Sequence, residues 1–236
     1  MGLHRQFQVN ESGTDYVVGD IHGCFSMLET ALGKVGFDTK RDRLFSVGDL
    51  IDRGPESRRM VEFVDKPWFH PVMGNHEYML FEYHLGRLPE KSYGVNGGNW
   101  AIMMTRDERA EYVDAVSRLP VAITVGEGEQ AVGIVHADCP TKGWPEFVAA
   151  MDSSSLEDLQ HQHLGNNAMW DRGRISNGDE SGVDGISKVF VGHTPIGMPH
   201  NFGNVHYIDT GAFALTGKLT LCRLDGDVAA TVRRDW

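Results

Sequence analysis

The sequence predicts an α/β fold, and three observations indicate it. Short apolar runs occupy residues 16–18, 44–47 and 70–73, and a segment with helical periodicity follows each run. Each run is followed at once by Gly and then by Asp, Asp or Asn. The chain of 236 residues, with 41% hydrophobic and 23% charged residues, is long enough for a sizeable core and ordinary in composition. Repeated β-loop-α units of this kind are typical of a mostly parallel sheet covered by helices.

The elements of the N-terminal third follow from local signals. Residues 1–15 are polar and are expected to be partly loose. Apolar side chains at Leu28, Ala31 and Leu32 share one helical face, so a helix is expected over residues 25–34. Pro55 suits the first turn of the next helix, which is expected to run to about residue 64. An aromatic-rich helix is expected after the third strand, ending near residue 85.

The rest of the chain changes character twice. Residues 86–119 are expected to form a helical insert beside the site, with a loop at 96–100 and a helix over 100–119. Strands are then expected at 121–125 and 131–135, joined as a hairpin by a Gly-Glu-Gly-Glu turn. No linker composition appears, so one domain over residues 1–236 is predicted. The remaining expected elements are loop and helix over 141–165, a strand at 188–191, and strands at 205–209, 219–224 and 228–232 that complete a second, more antiparallel sheet.

Charge and cysteine content exclude several function classes. The 22 basic and 33 acidic residues leave a net charge of −11, which argues against sequence-independent nucleic-acid binding. No apolar run approaches a membrane-spanning length and no signal peptide is evident, so no membrane partner is expected. The three cysteines, Cys24, Cys139 and Cys222, form neither a zinc pattern nor an even disulfide framework. A reducing, cytoplasmic location is therefore predicted.

Potential metal ligands follow five of the predicted strands. A single Asp after Gly is usually a turn residue, and a single His at a strand end usually has a structural role. The repetition at five strand ends favours a metal site instead. Carboxylate, imidazole and amide donors suit Mn²⁺, Fe or Zn, and six ligands suit two ions about 3.5–4 Å apart. The ligands are Asp20 with His22, Asp49, Asn75, His136 and His193. His161 and His163 follow no predicted strand and are not assigned to the site.

The segment 48–54 (GDLIDRG) concentrates polar groups at one turn. It places Asp49, Asp52 and Arg53 between two glycines, directly after a buried strand. Glycine permits sharp turns and close backbone approach, so these side chains can crowd one point. Strand ends are also where open α/β sheets bind ligands. We therefore predict that Asp49 bridges two metal ions and that Asp52 and Arg53 serve phosphate-cleaving chemistry.

These motifs resemble those of a known family. Segments 19–23 (GDIHG), 48–54 (GDLIDRG) and 74–77 (GNHE) resemble the three signature motifs of the PPP-type metallophosphoesterases, and His136 and His193 match the remaining histidine ligands. The likeness extends from about residue 16 to residue 224 and is strongest to the phage lambda and bacterial serine/threonine protein phosphatase branch. The segments that resemble this branch are 67–69, 96–98, 136–138, 170–177 and 207–212.

The resemblance implies a calcineurin-like sandwich of two mixed β-sheets flanked by helices. It also implies that Asp20 and His22 hold a first metal ion, that Asp49 bridges to a second, and that the other three ligands complete the second site. Two divalent ions, with Mn²⁺ favoured and Fe or Zn as alternatives, would hold the hydroxide that attacks phosphorus without a covalent enzyme intermediate. The implied partners are phosphoserine and phosphothreonine proteins, with phosphotyrosine, phosphohistidine and the oligomeric state left open.

The same resemblance implies roles for four further residues. Arg53 and Arg172 would bind phosphate oxygens, for which the planar guanidinium fork is suited. His76 would protonate the alkoxide leaving group as general acid, and Asp52 would orient the imidazole. A surface ion pair of Asp52 with Arg53, or a solvated Arg172 with Arg174 nearby, is the structural alternative.

Other residues near the motifs receive supporting roles. Metal-bound histidine usually donates its second ring N–H to a carboxylate or carbonyl group. Asp138 and Asp209 lie next to or near the late ligands and are candidates for this role. Tyr78, Trp100 and Cys139 are assigned to packing.

Three other functions are compatible with parts of the pattern. Diadenosine-tetraphosphate hydrolases share the early motifs. That group resembles the chain less closely at two positions, because it carries other residues in place of Asp52 and Glu77. A phosphodiesterase is a second hydrolase alternative. A non-catalytic metal-binding scaffold would be expected to have lost ligands or His76, and the chain retains all of them.

Overall fold

A computed structural model describes residues 2–140, 143–160 and 163–233 of the chain. It confirms a sandwich of two mixed β-sheets with flanking helices. The strands are β1 (His4–Phe7), β2 (Asp15–Val18), β3 (Arg43–Ser46), β4 (Phe69–Pro71), β5 (Ala122–Val125), β6 (Val132–Val135), β7 (Lys188–Val191), β8 (His200–Phe202), β9 (Val205–Tyr207), β10 (Lys218–Arg223) and β11 (Val228–Arg233). The α-helices are α1 (Phe25–Val35), α2 (Met60–Phe63), α3 (Asn75–His84), α4 (Glu90–Val95), α5 (Asn99–Ile102), α6 (Arg106–Ser117), α7 (Trp144–Asp152), α8 (His163–Trp170) and α9 (Gly173–Asn177).

The two sheets differ in strand order from the predicted arrangement. One sheet has the order β11-β10-β2-β3-β4 and the other β1-β5-β6-β7-β9-β8. The prediction that 219–224 and 228–232 complete the second sheet is wrong, because β10 pairs antiparallel with β2 and carries β11 with it. Alternating burial along a strand predicts its buried face but not its partner, since pairing is decided by distant parts of the chain.

The N-terminal segment is also more ordered than predicted. His4–Phe7 forms an edge strand that runs parallel to β5, with His4 opposite Ala122 and Phe7 opposite Val125. The backbone carbonyl of Leu3 accepts hydrogen bonds from the N–H groups of residues 121 and 122. The strand is polar because it lies at a sheet edge and remains partly exposed, which hides it from a search for apolar runs.

The helical insert is confirmed, with different internal boundaries. Two helices, α5 and α6, replace the single helix predicted over 100–119, and α4 precedes them in the insert. The break before α6 is a capping box: the Thr105 hydroxyl accepts a hydrogen bond from the Glu108 N–H, and the Glu108 carboxylate accepts one from the Thr105 N–H. The Thr-x-x-Glu spacing is a sequence signature of a helix N-terminus, so this boundary could have been predicted from the sequence. The predicted hairpin of β5 and β6 is present. His161, which is not assigned to the site, lies outside the described residues.

Two rows of side chains in register face each other between the sheets. Both rows are apolar except at one end, where each finishes in a half-buried histidine. His70 and His206 therefore lie at the margins of the core between the two sheets. The rows are Cys222, Val17, Phe45 and His70 in one sheet, and Ile123, Ile134, Phe190 and His206 in the other.

Because of these two histidines, we expect the free energy of unfolding to decrease as the pH falls. Burial lowers the pKa of His70 to about 4, with Arg43 adding to the effect, and burial with Lys188 lowers that of His206 to about 4. Between the unfolded pKa of about 6.5 and the folded value, the unfolded chain binds more protons, so stability falls as the pH falls. The full pKa shift corresponds to about 2 kcal/mol per histidine between pH 7 and pH 5, and solvent screening of these half-buried rings reduces the expected loss to about 1 kcal/mol each.

Urea unfolding at both pH values, with chelator present throughout, measures this effect. The double variant His70→Gln/His206→Gln should lose less stability on acidification than the unsubstituted chain. The exposed His200 offers a control, because His200→Gln should retain the full pH dependence. An unchanged pH dependence in the double variant would contradict the assignment.

None of the helices in the described part of the chain has the length and apolar character that a membrane crossing requires. All three cysteines are buried thiols.

Candidate active site and metal centre

The six predicted metal ligands meet at one point between the two sheets. Strands β2, β3 and β4 of one sheet and β6 and β7 of the other present their carboxyl ends there. Parallel strands end at a common edge, which is why ligands from distant segments converge. Each of the six residues is at most 5% exposed: Asp20, His22, Asp49, Asn75, His136 and His193.

Asp49 lies at the centre of this group. Its Oδ2 atom is 3.4 Å from His22 Nε2, and its Oδ1 atom is 3.4 Å from His136 Nε2. Two buried clusters of potential ligands share it, one with His22 and His76 and the other with His136 and His193. Gly74 permits this position, because a Cβ atom there would overlap the Asp49 carboxylate. A carboxylate that belongs to both clusters has the placement expected of a bridging ligand.

The second cluster is organised around an amide oxygen. Asn75 Oδ1 lies 2.8 Å from His136 Nε2 and 2.9 Å from His193 Nδ1. The other ring nitrogen of His136 lies 2.7 Å from the Val47 carbonyl oxygen, to which it can donate. The prediction that Asp138 supports a ligating histidine is therefore wrong for His136. Asp138 instead accepts a 3.0 Å hydrogen bond from Arg174 Nε.

A second carboxylate, that of Asp20, lies beside the first cluster. Asp20 Oδ2 lies 3.9 Å from His22 Nε2, and the Asp20 carboxylate accepts the backbone N–H of His193 at 3.1 Å. His22 Nδ1 lies 2.9 Å from the Ile51 carbonyl oxygen, which leaves Nε2 facing the centre. Asp209 adjoins Asp20, and burial together with the charges of Asp209 and Asp49 raises the pKa of Asp20.

Two of these side chains, His22 and Asp49, have the protonation states that a divalent cation needs. Burial lowers the pKa of His22 to about 3, so its ring is neutral and can act as a ligand. Burial opposes ionisation of Asp49, but the His136 and His76 rings outweigh it and hold the Asp49 pKa well below its usual range. Buried carboxylates this close repel each other, and bound cations would offset that repulsion. Neutral imidazole, carboxylate and amide oxygen form the donor set that Mn²⁺, Fe and Zn accept.

Glu77 holds the loop that carries Asp49. Its buried carboxylate accepts hydrogen bonds from the N–H groups of Asp49 and Leu50, both at 2.8 Å, and of Gly74 at 2.9 Å. Burial and the charge of Asp49 raise the pKa of Glu77 to about 7. Sequence reasoning used Glu77 only to separate families and missed this structural role, since nothing local indicates which N–H groups a glutamate will reach.

Left-handed backbone conformations mark the same site. Within the described residues, every non-glycine residue with positive φ is one of the predicted site residues. Such conformations cost about 1 kcal/mol or more each, so the surrounding contacts must hold them. The residues and their φ angles are His22 at 42°, Asp49 at 50°, Asp52 at 68°, Arg53 at 65° and His193 at 65°.

Asp52 and His76 form the predicted buried pair. His76 Nδ1 lies 2.8 Å from Asp52 Oδ2, and both residues are fully buried. His76 Nε2 has no hydrogen-bond partner among the described residues and lies 3.9 Å from Asp49 Oδ2. The assignment of Trp100 to packing is wrong, because its indole N–H donates to Asp52 Oδ1 at 2.6 Å, and the Tyr93 hydroxyl donates to the same atom at 3.1 Å.

The two predicted phosphate-binding arginines differ in their surroundings. Arg53 lies with its guanidinium carbon 4.6 Å from the centre of the Phe213 ring, and its NH1 atom is 3.0 Å from His22 Nε2. Arg172 is exposed at the start of α9. Burial, the His136 ring and the Arg172 charge lower the pKa of His193 to about 3. The neighbouring Arg174 forms an ion pair with Asp138 at 3.0 Å.

The two-sheet sandwich and a buried cluster of oxygen and nitrogen ligands define a metallophosphoesterase. The calcineurin-like phosphoesterase model matches residues 16–207, and the chain belongs to that family. The chain is 40% identical over 217 residues to serine/threonine-protein phosphatase 1 of Salmonella typhimurium, covering 89% of this chain and 91% of that protein. It is 26% identical over 227 residues to bis(5'-nucleosyl)-tetraphosphatase PrpE [asymmetrical] of Geobacillus thermodenitrificans, covering 88% and 89%.

A solved structure of a Saccharomyces cerevisiae protein serine/threonine phosphatase shares the fold. Its TM-score is 0.64 at 13% identity, with 100% of this chain and 85% of that chain covered.

Proposed function

We propose that this chain is a protein phosphatase that hydrolyses phosphoserine and phosphothreonine monoesters. The buried Asp52–His76 pair carries the proposal, because its free nitrogen, His76 Nε2, lies 3.9 Å from the Asp49 carboxylate. The similarity to the Salmonella phosphatase supports the same substrate class. The three buried thiols fit a reducing, cytoplasmic location.

Six side chains would hold two divalent cations. Asp20 and His22 would bind one, Asn75, His136 and His193 the other, and Asp49 both. Bound there, the cations supply charge neutralisation at the phosphoryl group and lower the pKa of a water nucleophile. Mn²⁺ is favoured over Fe and Zn as the ion, because oxygen donors are as numerous as imidazoles in this set.

The arginines would bind the remaining charge of the phosphoryl group. Phosphoryl transfer depends chiefly on positioning and electrostatic stabilisation. The Phe213 ring holds the Arg53 guanidinium at the edge of the first cluster. Arg172 would approach from the side of the second cluster, where its charge already influences His193. Together the two guanidinium groups would hold the monoester with its ester oxygen towards His76.

His76 would protonate the leaving group. Serine and threonine leave as alkoxides, which are poor leaving groups unless a proton reaches the ester oxygen as the bond breaks. Asp52 accepts the Nδ1–H of His76, so Nε2–H is the donor that faces the substrate. The need for this proton distinguishes alkyl phosphate monoesters from substrates with activated leaving groups.

Turnover of competing substrates by the metal-loaded protein tests the proposal. We expect kcat/KM for a phosphoserine peptide to exceed that for diadenosine tetraphosphate by about 100-fold. Bis(p-nitrophenyl) phosphate should be a poor substrate, because a diester lacks the charge that two arginines and two cations bind. Faster turnover of diadenosine tetraphosphate would instead assign the chain the activity of the Geobacillus relative.

A further inference from the structure

The helical insert contacts the catalytic loop through a short segment. Helices α4 and α5 are joined by residues 96–98 (NGG), which resemble the phosphatase branch in sequence but have no place in the mechanism so far. A Cβ atom at Gly97, whose φ is 100°, would overlap the backbone of Arg53. A Cβ atom at Gly98 would overlap the ring of Tyr93. The two glycines therefore allow the insert to approach the Asp52–Arg53 turn.

This approach delivers two hydrogen-bond donors to one oxygen atom. The Trp100 indole N–H and the Tyr93 hydroxyl both donate to Asp52 Oδ1, at 2.6 and 3.1 Å. Tyr93 and Asp52 are fully buried and Trp100 is half-buried. Burial and the charge of Asp52 raise the pKa of the Tyr93 hydroxyl, which therefore keeps its proton.

The chemical type of these donors matters. Both are neutral, so they orient the Asp52 carboxylate without cancelling its charge. A lysine or arginine in the same place would form an ion pair and weaken the attraction between Asp52 and a protonated His76. The two donors come from different helices, so Oδ1 is held by two hydrogen bonds to the insert. The remaining oxygen, Oδ2, is then presented to His76 Nδ1 at 2.8 Å.

We propose that Tyr93 and Trp100 are positioning residues, which fix Asp52 so that His76 Nε2 is held towards the ester oxygen of the substrate. The proposal rests on the general-acid role of His76 in the proposed function. Loss of either donor frees the carboxylate to rotate and allows the His76 ring to leave its productive orientation. The effect should appear only where the leaving group needs a proton.

Trp100→Phe and Tyr93→Phe test this inference by leaving-group dependence. We expect each variant to lower kcat for a phosphoserine peptide by about tenfold with KM unchanged, the effect of losing one hydrogen bond to a charged group. Turnover of p-nitrophenyl phosphate should stay within about twofold, because nitrophenolate leaves without protonation. Across a series of aryl phosphates, the rate should fall more steeply with rising leaving-group pKa in the variants.

Gly98→Ala provides a second, independent perturbation. It displaces the Tyr93 ring while retaining the hydroxyl, and the φ of −75° at Gly98 is accessible to alanine. The same leaving-group dependence is expected. Trp144→Phe is the matched control, since the Trp144 indole N–H donates at 2.9 Å to Thr124, a residue outside the site. For this control, the rate should depend on leaving-group pKa with the same slope as in the unsubstituted chain.

Equal losses on the peptide and on p-nitrophenyl phosphate, or an unchanged slope in Trp100→Phe and Gly98→Ala, would overturn the inference. Thermal melting of each variant establishes that it is folded. The aryl phosphate series requires only monoesterase activity. If diadenosine tetraphosphate proves the better substrate, the proposed function fails while the slope still decides the role of Tyr93 and Trp100.

Discussion

Replacement of His76 by Asn is expected to lower kcat for a phosphoserine peptide by about 10³-fold, the usual contribution of a general acid. For p-nitrophenyl phosphate the expected loss is only about tenfold, because that leaving group departs without a proton. The reason lies in the geometry of the site. His76 is fully buried, its Nδ1 atom is bonded to Asp52, and its Nε2 atom borders the cluster around Asp49.

Steady-state kinetics on both substrates measures this difference, together with the metal content of each protein. Asp52→Asn should show the same preference for the activated substrate, because it leaves the imidazole without its charged partner. His84→Asn, at the other end of helix α3, is the control and should behave as the unsubstituted chain. Equal losses on the two substrates would remove the general-acid assignment. A loss of bound metal in His76→Asn would make His76 a ligand of the first cluster instead.

Replacement of Asp49 by Asn is expected to abolish binding of both cations and to lower activity on every phosphate monoester by about 10³-fold or more. Asp49 belongs to both ligand clusters, and its two oxygens lie 3.4 Å from His22 and from His136. An amide at this position keeps the size of the side chain but removes its charge and one acceptor oxygen. Both sites therefore lose their common ligand in one substitution.

Elemental analysis after gel filtration, on protein prepared without chelator, counts the retained ions. Asp20→Asn should lose mainly the ion of the first site, because the Asp20 carboxylate lies 3.9 Å from His22 Nε2 and contacts the backbone N–H of His193 at 3.1 Å. Asp138→Asn is the control and should retain both ions, since Asp138 pairs with Arg174. An Asp49→Asn protein that keeps two ions would exclude the bridging role.

The local sequence determined most of the candidate site. Ligand-bearing residues such as Asp20, Asp49 and His193 directly follow apolar strands, and the carboxyl ends of such strands meet at one edge of a sheet. Position and residue type could therefore be inferred together. The 2.8 Å contact between His76 and Asp52 was expected for a different reason, the family resemblance of the motifs that carry them.

Tertiary structure alone decided which distant groups complete the site and the sheets. The donors to Asp52 come from Tyr93 and Trp100, 41 and 48 residues along the chain, and their apolar rings gave no sign of a polar role. The partner of His136 is the backbone carbonyl of Val47, which no side-chain pattern can indicate. Strand β10 joins β2 for the same reason: hydrophobic periodicity reports which face of an element is buried, whereas the choice of neighbour depends on how the whole chain packs.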